Sequence, residues 1–173
     1  MIPVSWRNVK SWNCIDCGAC CRDYQIVLDF NEWVKIVRNY GVEATKPGVS
    51  KLYLRKKSDG TCIFLTKLGD TFLCGLQHMK PKACKIWPFK IFFRPKFGMP
   101  REALYRYRDR NFFVYLDPAC LGLSWGKPSQ EFKYRILPEF IEIAAGLREK
   151  QFHSTSKIRY RPRYFDIRGR KLV

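Results

Sequence analysis

Eight cysteines constrain the fold of this chain of 173 residues more than any other feature, because four of them stand within eight consecutive positions. Two residues between neighbouring cysteines form a tight loop that can point both sulfurs at one metal ion, as in zinc ribbons and ferredoxins. Gly18 lies in such a loop, where glycine permits backbone conformations that are costly for other residues. The run that carries the pattern is Cys14-x2-Cys17-Gly18-x-Cys20-Cys21.

The other four cysteines are distant in sequence, and eight thiolates are enough for two sites with four ligands each. Because Cys20 and Cys21 are adjacent, their Cβ atoms diverge. They therefore serve two centres, or one centre and a structural role, more easily than two corners of one tetrahedron. The sequence leaves this division open, and we expect all eight in one compact metal-binding region. The predicted metal ligands are Cys14, Cys17, Cys20, Cys21, Cys62, Cys74, Cys84 and Cys120.

Disulfide bonds are the main alternative use of so many cysteines. The start of the chain lacks the apolar segment of a secretory signal, which disfavours the disulfide scaffold of a secreted protein. Intracellular disulfides, as in hyperthermophiles, stay open as an alternative. No stretch approaches 18 apolar residues, so no membrane-spanning helix is expected. We expect a cytoplasmic protein.

The ordered set of cysteines resembles the CxxCxxCC (YkgJ-like) family of zinc- or iron-chelating cysteine-cluster proteins, which includes flagellin lysine N-methylases. The resemblance extends from about Trp12 to Gly146 and implies metal chelation by the cysteines. The chain has Lys80 and Lys85 where the family usually has arginine. The matching segments are the run from Cys14 to Cys21, Cys62-Ile63-Phe64-Leu65, Cys74-x6-Pro81-x2-Cys84-x3-Pro88-Phe89 and Cys120-x-Gly122.

Both zinc and iron–sulfur clusters accept ligation by thiolates alone. The spacing Cx2Cx2C favours a cubane cluster, which takes three nearby cysteines and one remote cysteine. The ferredoxin run, however, places its fourth cysteine three residues on and follows it with proline, and Cys21-Arg22 does not match that pattern. We favour a 4Fe–4S cluster and keep zinc as the alternative. The acid–base groups near the cysteines are Asp16, Asp23 and His78, and none makes a convincing catalytic group. No catalytic residue is predicted.

The net charge of +18 arises from 33 Lys and Arg against 15 Asp and Glu, while 46% hydrophobic residues allow a folded core. Such a surplus of charge repels itself, and a polyanion would relieve the repulsion. Nucleic acid is the commonest polyanion, and an anionic membrane surface is the other. The surplus is clustered in two segments. Residues 80–110 hold ten basic and two acidic side chains, and residues 148–173 hold nine basic and two acidic side chains.

Basic residues alternate with aromatic ones in the second of these segments. Arginine pairs with phosphate and stacks on bases, and tyrosine and phenylalanine stack on unpaired bases, so we predict RNA binding. A strand with one solvated face is the alternative. The predicted nucleic-acid contacts are Lys90, Arg94, Lys96, Arg106 and Arg108 in the first segment, and Lys157, Arg159, Arg161, Arg163, Arg168, Arg170 and Lys171 in the second.

The predicted fold is a small α+β domain with short strands, two main helices and loops stapled by cysteine-ligated metal centres. We expect a metal-binding domain over residues 1–150 and a basic aromatic tail over residues 151–173. The first helix is capped by Asp29 or Asn31, and Gly41 ends it; Pro138 kinks the second helix or breaks its first half. The second helix is predicted from Pro128 or Ser129 to Lys150, and the strands are predicted at Tyr24–Leu28, Lys51–Arg55, Thr61–Leu65, Thr71–Cys74, Leu104–Tyr107 and Phe112–Leu116.

The first functional hypothesis is a metal-stabilised basic protein that contacts RNA, such as a component of a ribonucleoprotein or the ribosome. The second is an enzyme, either an iron–sulfur-dependent oxidoreductase or, from the family resemblance, a protein lysine methyltransferase-like enzyme. No nucleotide or methyl-donor motif supports the enzyme. A metal-trafficking protein is the third hypothesis, and it would require an exchangeable metal.

Overall fold

The computed structural model describes residues 1–154. Contacts divide the chain into two compact units. The first, called the terminal unit, joins Met1–Ile15 to the described residues from Lys85 onward, and the second, called the central unit, is Asp16–Cys84. The basic residues predicted at 157–171 lie outside the described residues.

Helices and short antiparallel strands are mixed along the described chain, which confirms the α+β prediction. The strands are β1 (Val4–Ser5), β2 (Val9–Trp12), β3 (Val27–Leu28), β4 (Thr45–Pro47), β5 (Leu52–Leu54), β6 (Leu65–Leu68), β7 (Thr71–Cys74), β8 (Phe89–Phe92), β9 (Leu104–Tyr107), β10 (Arg110–Leu116) and β11 (Leu123–Trp125). The α-helices are α1 (Ala19–Asp23), α2 (Phe30–Tyr40), α3 (Lys82–Ile86), α4 (Pro100–Ala103) and α5 (Leu137–Ala144). A π-helix covers Phe132–Ile136, and short 3-10 helices cover Trp6–Asn8, Val42–Ala44 and Gln77–Met79.

The strand β10 organises the terminal unit. It pairs antiparallel with β9, β8 and β1, so the strands predicted at Leu104–Tyr107 and Phe112–Leu116 are neighbours, with residues 104–107 opposite residues 110–113. Strands β2 and β11 form a second, smaller sheet. The rings of Phe89 and Phe140 stack with their centroids 4.0 Å apart, and the indole of Trp12 meets both rings edge-on. Buried aromatic residues therefore supply much of this core.

The last helix of the terminal unit is shorter than predicted. It begins as a π-helix, passes Pro138 in the first turn of α5 and ends at Ala144 rather than Lys150. Gly146 adopts a φ of 75°, and the N–H groups of Gly146 and Leu147 donate to the carbonyls of Ile143 and Glu142. This pair of bonds is a Schellman motif, which ends a helix by satisfying its last carbonyls.

The central unit is built on α2, which has the predicted bounds. The carboxylate of Asp29 accepts from the backbone N–H of Glu32, and the Glu32 side chain accepts in return from the N–H of Asp29, so that a capping box begins the helix. The helix ends at Tyr40, with Gly41 as its C-cap, as predicted. Its buried face belongs to a core that also contains residues of β3, β5 and β6. The core residues are Leu28, Ile36, Ala44, Leu54, Cys62, Leu65 and Leu76.

The strand predicted at Thr61–Leu65 is wrong, because regular pairing begins only at Leu65. Before that residue, Cys62 forms an isolated bridge with Lys56, and the N–H of Ile63 donates to the carbonyl of Arg55. The strand predicted at Thr71–Cys74 is confirmed as β7, which pairs with β6 in a hairpin. The predicted strand at Tyr24–Leu28 is reduced to its last two residues, β3. Among the described residues, no helix is long and apolar enough to cross a membrane.

Candidate metal centre

Gly18 shapes the first cysteine loop. Its φ of 68° is left-handed, and a Cβ atom there would stand 2.9 Å from the side chain of Phe72, so both the conformation and the space require glycine. The carbonyl of Gly18 accepts from the N–H groups of Cys21 and Arg22, which closes the first turn of α1. The sequence-based expectation for Gly18 is confirmed, and the turn presents Cys20 and Cys21 on α1.

Five thiols of the central unit interact electrostatically with one another. Cys20, Cys62, Cys74 and Cys84 interact in all six pairings, although they come from four separate segments of the chain. Cys21 interacts with Cys20, Cys62 and Cys74. The backbone holds two of these segments together, because the N–H of Cys62 donates to the carbonyl of Cys21 at 2.8 Å. The fold therefore brings together sulfurs that lie up to 64 positions apart.

The neighbours Cys20 and Cys21 have opposite tendencies to ionise. The thiol of Cys21 donates a hydrogen bond to the sulfur of Cys20, and this bond is the main reason that the pKa of Cys20 is lowered to about 7. The same bond, together with burial, raises the pKa of Cys21 far above its usual range. Cys20 is thus the thiol of this pair that most readily becomes a thiolate, the form that binds metals.

Burial is the dominant influence on the other three thiols. It raises the pKa of Cys62 to about 11, and it also raises the pKa values of Cys74 and Cys84. Against this effect, the backbone N–H groups of Phe64 and Leu76 donate to the sulfurs of Cys62 and Cys74, each from two residues further along the chain. These bonds favour the thiolate, as does the positive charge of Lys80 near Cys20, Cys74 and Cys84.

Two of the predicted ligands belong to the terminal unit. Cys14 and Cys120 pack half-buried against its hydrophobic core. Their loops are adjacent, since the N–H of Asn13 donates to the carbonyl of Gly122 at 3.0 Å. The indole N–H of Trp12, which is buried here, has no hydrogen-bond acceptor among the described residues. Cys17 is half-buried in the irregular segment between Asp16 and Gly18 of the central unit.

The donor set of the central unit fits a thiophilic cation. None of the eight cysteines, all of which are described, is in a disulfide. Within residues 1–154, no group of three or more His, Cys, Asp or Glu side chains already stands in an arrangement that could hold a metal ion. The fit rests instead on chemistry, because buried thiols become thiolates when a cation binds and compensates their charge. Cysteine sulfurs in such a set suit zinc or iron.

The predicted nucleic-acid contacts of residues 80–110 fall into two groups. Lys90 lies 3.4 Å from the buried carboxylate of Asp117, and Arg108 lies 3.3 Å from that of Glu142. Arg94, Lys96 and Arg106 are exposed. Arg101 and Arg110 are exposed as well. We call these five exposed residues together with Arg108 the basic surface; they are Arg94, Lys96, Arg101, Arg106, Arg108 and Arg110.

Two features of the central unit were not predicted from the sequence. The first is Lys80, which stands where the family usually has arginine and whose positive charge acts on three of the thiols. The second feature is a cleft lined by the successive basic residues Arg55, Lys56 and Lys57. The run of three consecutive cations is the sequence signal for this cleft, although it is short beside the ten basic residues of 80–110.

A mixed fold with thiols gathered from several loops defines a cysteine-cluster protein whose donors suit zinc or iron. The chain belongs to the CxxCxxCC family, described as "Putative zinc- or iron-chelating domain", and the match covers residues 13–121, more than half of its length. The family resemblance is therefore confirmed. No curated protein and no solved structure is significantly similar to the chain.

Proposed function

We propose that the protein holds one metal centre in its central unit through the thiolates of Cys20, Cys62, Cys74 and Cys84. The observation that carries this proposal is that these four thiols, which come from four separate segments of the chain, interact in every pairing. Cys21 also interacts with Cys20, Cys62 and Cys74, but we assign its thiol as the hydrogen-bond donor to the sulfur of Cys20 rather than as a ligand. Four thiolates complete the coordination of a structural zinc ion or of a 4Fe–4S cluster. Only Cys20 of the x2 run belongs to this set, so the spacing does not distinguish a cluster from zinc here; we keep the cluster as the first expectation and zinc as the alternative.

In this arrangement each neighbouring residue has a definite role. Cys21 keeps its proton and donates it in a hydrogen bond to the sulfur of Cys20. The N–H groups of Phe64 and Leu76 orient the sulfurs of Cys62 and Cys74, and Lys80 offsets part of the negative charge. A centre closed by four thiolates is structural or transfers electrons, because it leaves no ligand position for a substrate. The metal-trafficking hypothesis, which requires easy exchange, is less compatible with such burial.

The test compares Cys84→Ser with Cys21→Ser in protein purified without oxygen. Cys84→Ser should lose most of its bound metal, whereas Cys21→Ser should keep a full complement, since only the former removes a ligand. Metal analysis gives the amount of bound metal, and the visible spectrum shows which kind of centre it forms. Broad visible absorption that bleaches on reduction indicates iron–sulfur, and colourless protein with zinc indicates a structural zinc site. Equal metal loss in both variants would contradict the assignment of the four ligands.

We further propose that the protein contacts RNA through the basic surface and through residues 157–171. Among the described residues, the basic surface adds an exposed aromatic ring, Phe93, whose side chain is 65% exposed. Arginines and an exposed ring together suit phosphates and unpaired bases. Arg106 stands opposite Asn111 in the β9–β10 hairpin, and the turn at Arg108 and Asp109 links these strands. Lys90 neutralises Asp117 and is the least available of the predicted contacts.

The RNA proposal predicts a specific dependence on salt. The double variant Lys96→Gln/Arg106→Gln should reduce the slope of log affinity against log salt by about 0.7 for each lost phosphate contact. The control Lys127→Gln/Arg135→Gln removes the same charges from exposed positions outside the basic surface and should leave the slope nearly unchanged. In the tail, the triple variant Arg159→Ala/Arg161→Ala/Arg163→Ala should flatten the slope of log affinity against log salt without loss of metal. If the parent shows no salt-dependent RNA binding, the enzyme hypothesis takes first place.

A further inference from the structure

The central unit contains a cleft whose lining residues include none of its cysteines. The cleft has a volume of about 570 Å³, which is within the usual range for small-molecule sites, about 300–1,000 Å³. It is formed by β4, by the residues that follow β5 and by Gln25, just before β3. We call it the basic cleft. Its lining residues are Gln25, Thr45, Lys46, Pro47, Arg55, Lys56 and Lys57.

Four of the seven lining residues are cations, and none is a carboxylate. Among the described residues, no carboxylate oxygen lies within 4 Å of a charged nitrogen of these four. One counter-charge is Asp59, which interacts with Lys57 at longer range while its own oxygen accepts from Thr61. Four positive charges that share one concave surface repel one another, and an anion in the cleft would relieve that repulsion.

Hydrogen bonds to the backbone already orient three of the cations. The ammonium groups of Lys56 and Lys57 donate to the carbonyls of Arg22 and Leu65 at 2.6 and 2.8 Å. The guanidinium of Arg55 donates to the carbonyl of Glu43 at 3.3 Å. Each lysine retains two further N–H donors and the arginine four, because a lysine has three donors and an arginine five. Since these side chains are partly ordered before a ligand arrives, less conformational entropy is lost on binding.

We infer that the basic cleft binds the phosphate groups of a small oligophosphate-bearing molecule. A triphosphate carries close to four negative charges at neutral pH, which matches the four cations. Arginine binds phosphate oxygens in pairs, and lysine neutralises them as a compact charge. The amide of Gln25 donates to the carbonyl of Leu54, which leaves its oxygen as an acceptor for a ligand hydroxyl or amine. The shared chemistry is the phosphate chain, whether it is unsubstituted or part of a nucleotide.

The experiment measures binding of tripolyphosphate, ATP and inorganic phosphate to the full-length, metal-loaded protein by isothermal titration calorimetry. The double variant Lys46→Gln/Arg55→Gln removes one lysine and one arginine from the cleft. Tripolyphosphate affinity should fall about tenfold or more for each charge-assisted contact that is lost. Equal affinities for tripolyphosphate and ATP assign the site to the phosphate chain alone, while stronger ATP binding assigns it to a nucleotide; both support the inference.

The matched control is Arg38→Gln/Lys67→Gln, which removes one arginine and one lysine from exposed positions of the same unit outside the cleft. It should change the affinity by less than about twofold, as expected for distant screened charges. Equal weakening in both variants, or no binding of tripolyphosphate or ATP to the parent, would overturn the inference. The inference would also be overturned if RNA binding depended on Lys46 and Arg55 while tripolyphosphate did not bind.

A folding check keeps the experiment decisive. Circular dichroism, urea unfolding and metal content should match those of the parent for each variant. If the loss of the Arg55 hydrogen bond disturbs the fold, the single variant Lys46→Gln serves instead, because Lys46 is an exposed side chain on β4. A Lys46→Gln variant with full metal content and unchanged tripolyphosphate affinity would also overturn the inference. Metal content and phosphate binding are separate readouts, so failure here is distinguishable from failure of the proposed metal centre.

Discussion

Gly122 shows how one missing side chain can set the spacing of two loops. A Cβ atom at this position would stand 2.1 Å from the carbonyl oxygen of Asn13, far inside the contact distance of real atoms. The two segments that meet here carry Cys14 and Cys120, one residue after Asn13 and two residues before Gly122. The glycine of the family-like segment Cys120-x-Gly122 is therefore explained by close approach of the backbones.

We predict that Gly122→Ala lowers the free energy of unfolding by about 3 kcal/mol, at the upper end of overpacking effects, because the backbones must separate. The control is Gly98→Ala in the same unit, where a Cβ atom would meet nothing within 4 Å and the cost is the strain of a φ of 74°, about 1 kcal/mol. Urea unfolding monitored by circular dichroism measures both. Equal losses in the two variants would show that the close approach does not exist in solution.

Glu142 is a buried carboxylate whose partners keep it charged. It accepts a hydrogen bond from the hydroxyl of Tyr107 at 2.5 Å and an ion-paired bond from Arg148 at 2.7 Å. The bond from Tyr107 is the main reason that the pKa of Glu142 is lowered, with Arg148 adding to the effect. The carboxylate thus stabilises the folded state above the unfolded pKa of about 4.3, and this stabilisation is lost as the pH falls through the lowered folded pKa.

We predict that Tyr107→Phe costs about 1.5 kcal/mol of stability at pH 7, the value of a hydrogen bond to a charged group, and clearly less at pH 3. The pH dependence has this sign because protonation of Glu142 removes the charge that the hydroxyl stabilises. Urea unfolding at the two pH values gives the difference. Tyr134→Phe, which removes an exposed hydroxyl, is the control and should cost little at either pH. If Tyr107→Phe lowered the free energy of unfolding equally at both pH values, the hydroxyl would not be stabilising the charge of Glu142.

At the scale of secondary-structure elements, Glu32 links the start of α2 to the start of α3. One of its carboxylate oxygens accepts from the N–H of Asp29 in the capping box, and the other accepts from the N–H of Lys82. Lys82 is the first residue of α3, the helix that carries Cys84. A single side chain in the first turn of α2 therefore helps to fix the position of a proposed metal ligand.

We predict that Glu32→Ala destabilises the protein by about 2 kcal/mol and Asp29→Ala by about 1 kcal/mol, because both remove the capping box and only the former also frees Lys82. A chelator should also remove the metal faster from Glu32→Ala. Urea unfolding and the time course of metal release measure the two effects. Equal stability and equal release rates in both variants would show that the bond to Lys82 contributes nothing.

Elements with a strong local signal were predictable from the sequence. The helix α2 has an acidic cap, an apolar face and a terminal glycine, and its bounds are as predicted. The end of α5 was missed although Gly146 was a local signal, because the apolar pattern continues through Leu147. The Schellman motif at Gly146 prevailed over that pattern.

The segment around Cys62 was not predictable from its β-like composition. The N–H groups of Cys62 and Ile63 donate to the carbonyls of Cys21 and Arg55, both outside the β6–β7 hairpin, rather than to a regularly paired strand. The cysteine spacing identified the candidate ligands but not their grouping. That grouping depends on which loops the folded backbone brings together, as for Cys20 with Cys84, and such contacts leave no trace in local sequence patterns.

At the scale of the whole molecule, each unit has its own core and its own cysteines. The core of the terminal unit is largely aromatic, whereas that of the central unit contains Cys62 together with aliphatic residues. Cys21 and Cys74 pack against the central core. A metal bound to Cys62 and Cys74, together with Cys20 and Cys84, would therefore contribute to the folding energy of the central unit in particular.

We predict that removal of the metal by a chelator increases hydrogen exchange in β6, β7 and the N–H of Cys62, while exchange in β10 stays nearly unchanged. The reason is that the proposed ligands belong to the central unit and local stabilities within a protein are not uniform. Hydrogen–deuterium exchange with mass spectrometry measures this, and restoration of the metal should reverse it. Comparable increases in β2 and β11, beside Cys14 and Cys120, would contradict a centre confined to the central unit.

The placement of tryptophan gives the two units different optical properties. Four of the five tryptophans belong to the terminal unit, and Trp33 is the single tryptophan of Asp16–Cys84. Its indole N–H donates to the hydroxyl of Thr45 at 3.1 Å, and its ring stacks on Phe30, so its surroundings are well defined. With the other four tryptophans replaced by phenylalanine, fluorescence from Trp33 reports the state of the central unit alone. A bound iron–sulfur centre absorbs visible and near-ultraviolet light and would quench that emission, whereas zinc would not.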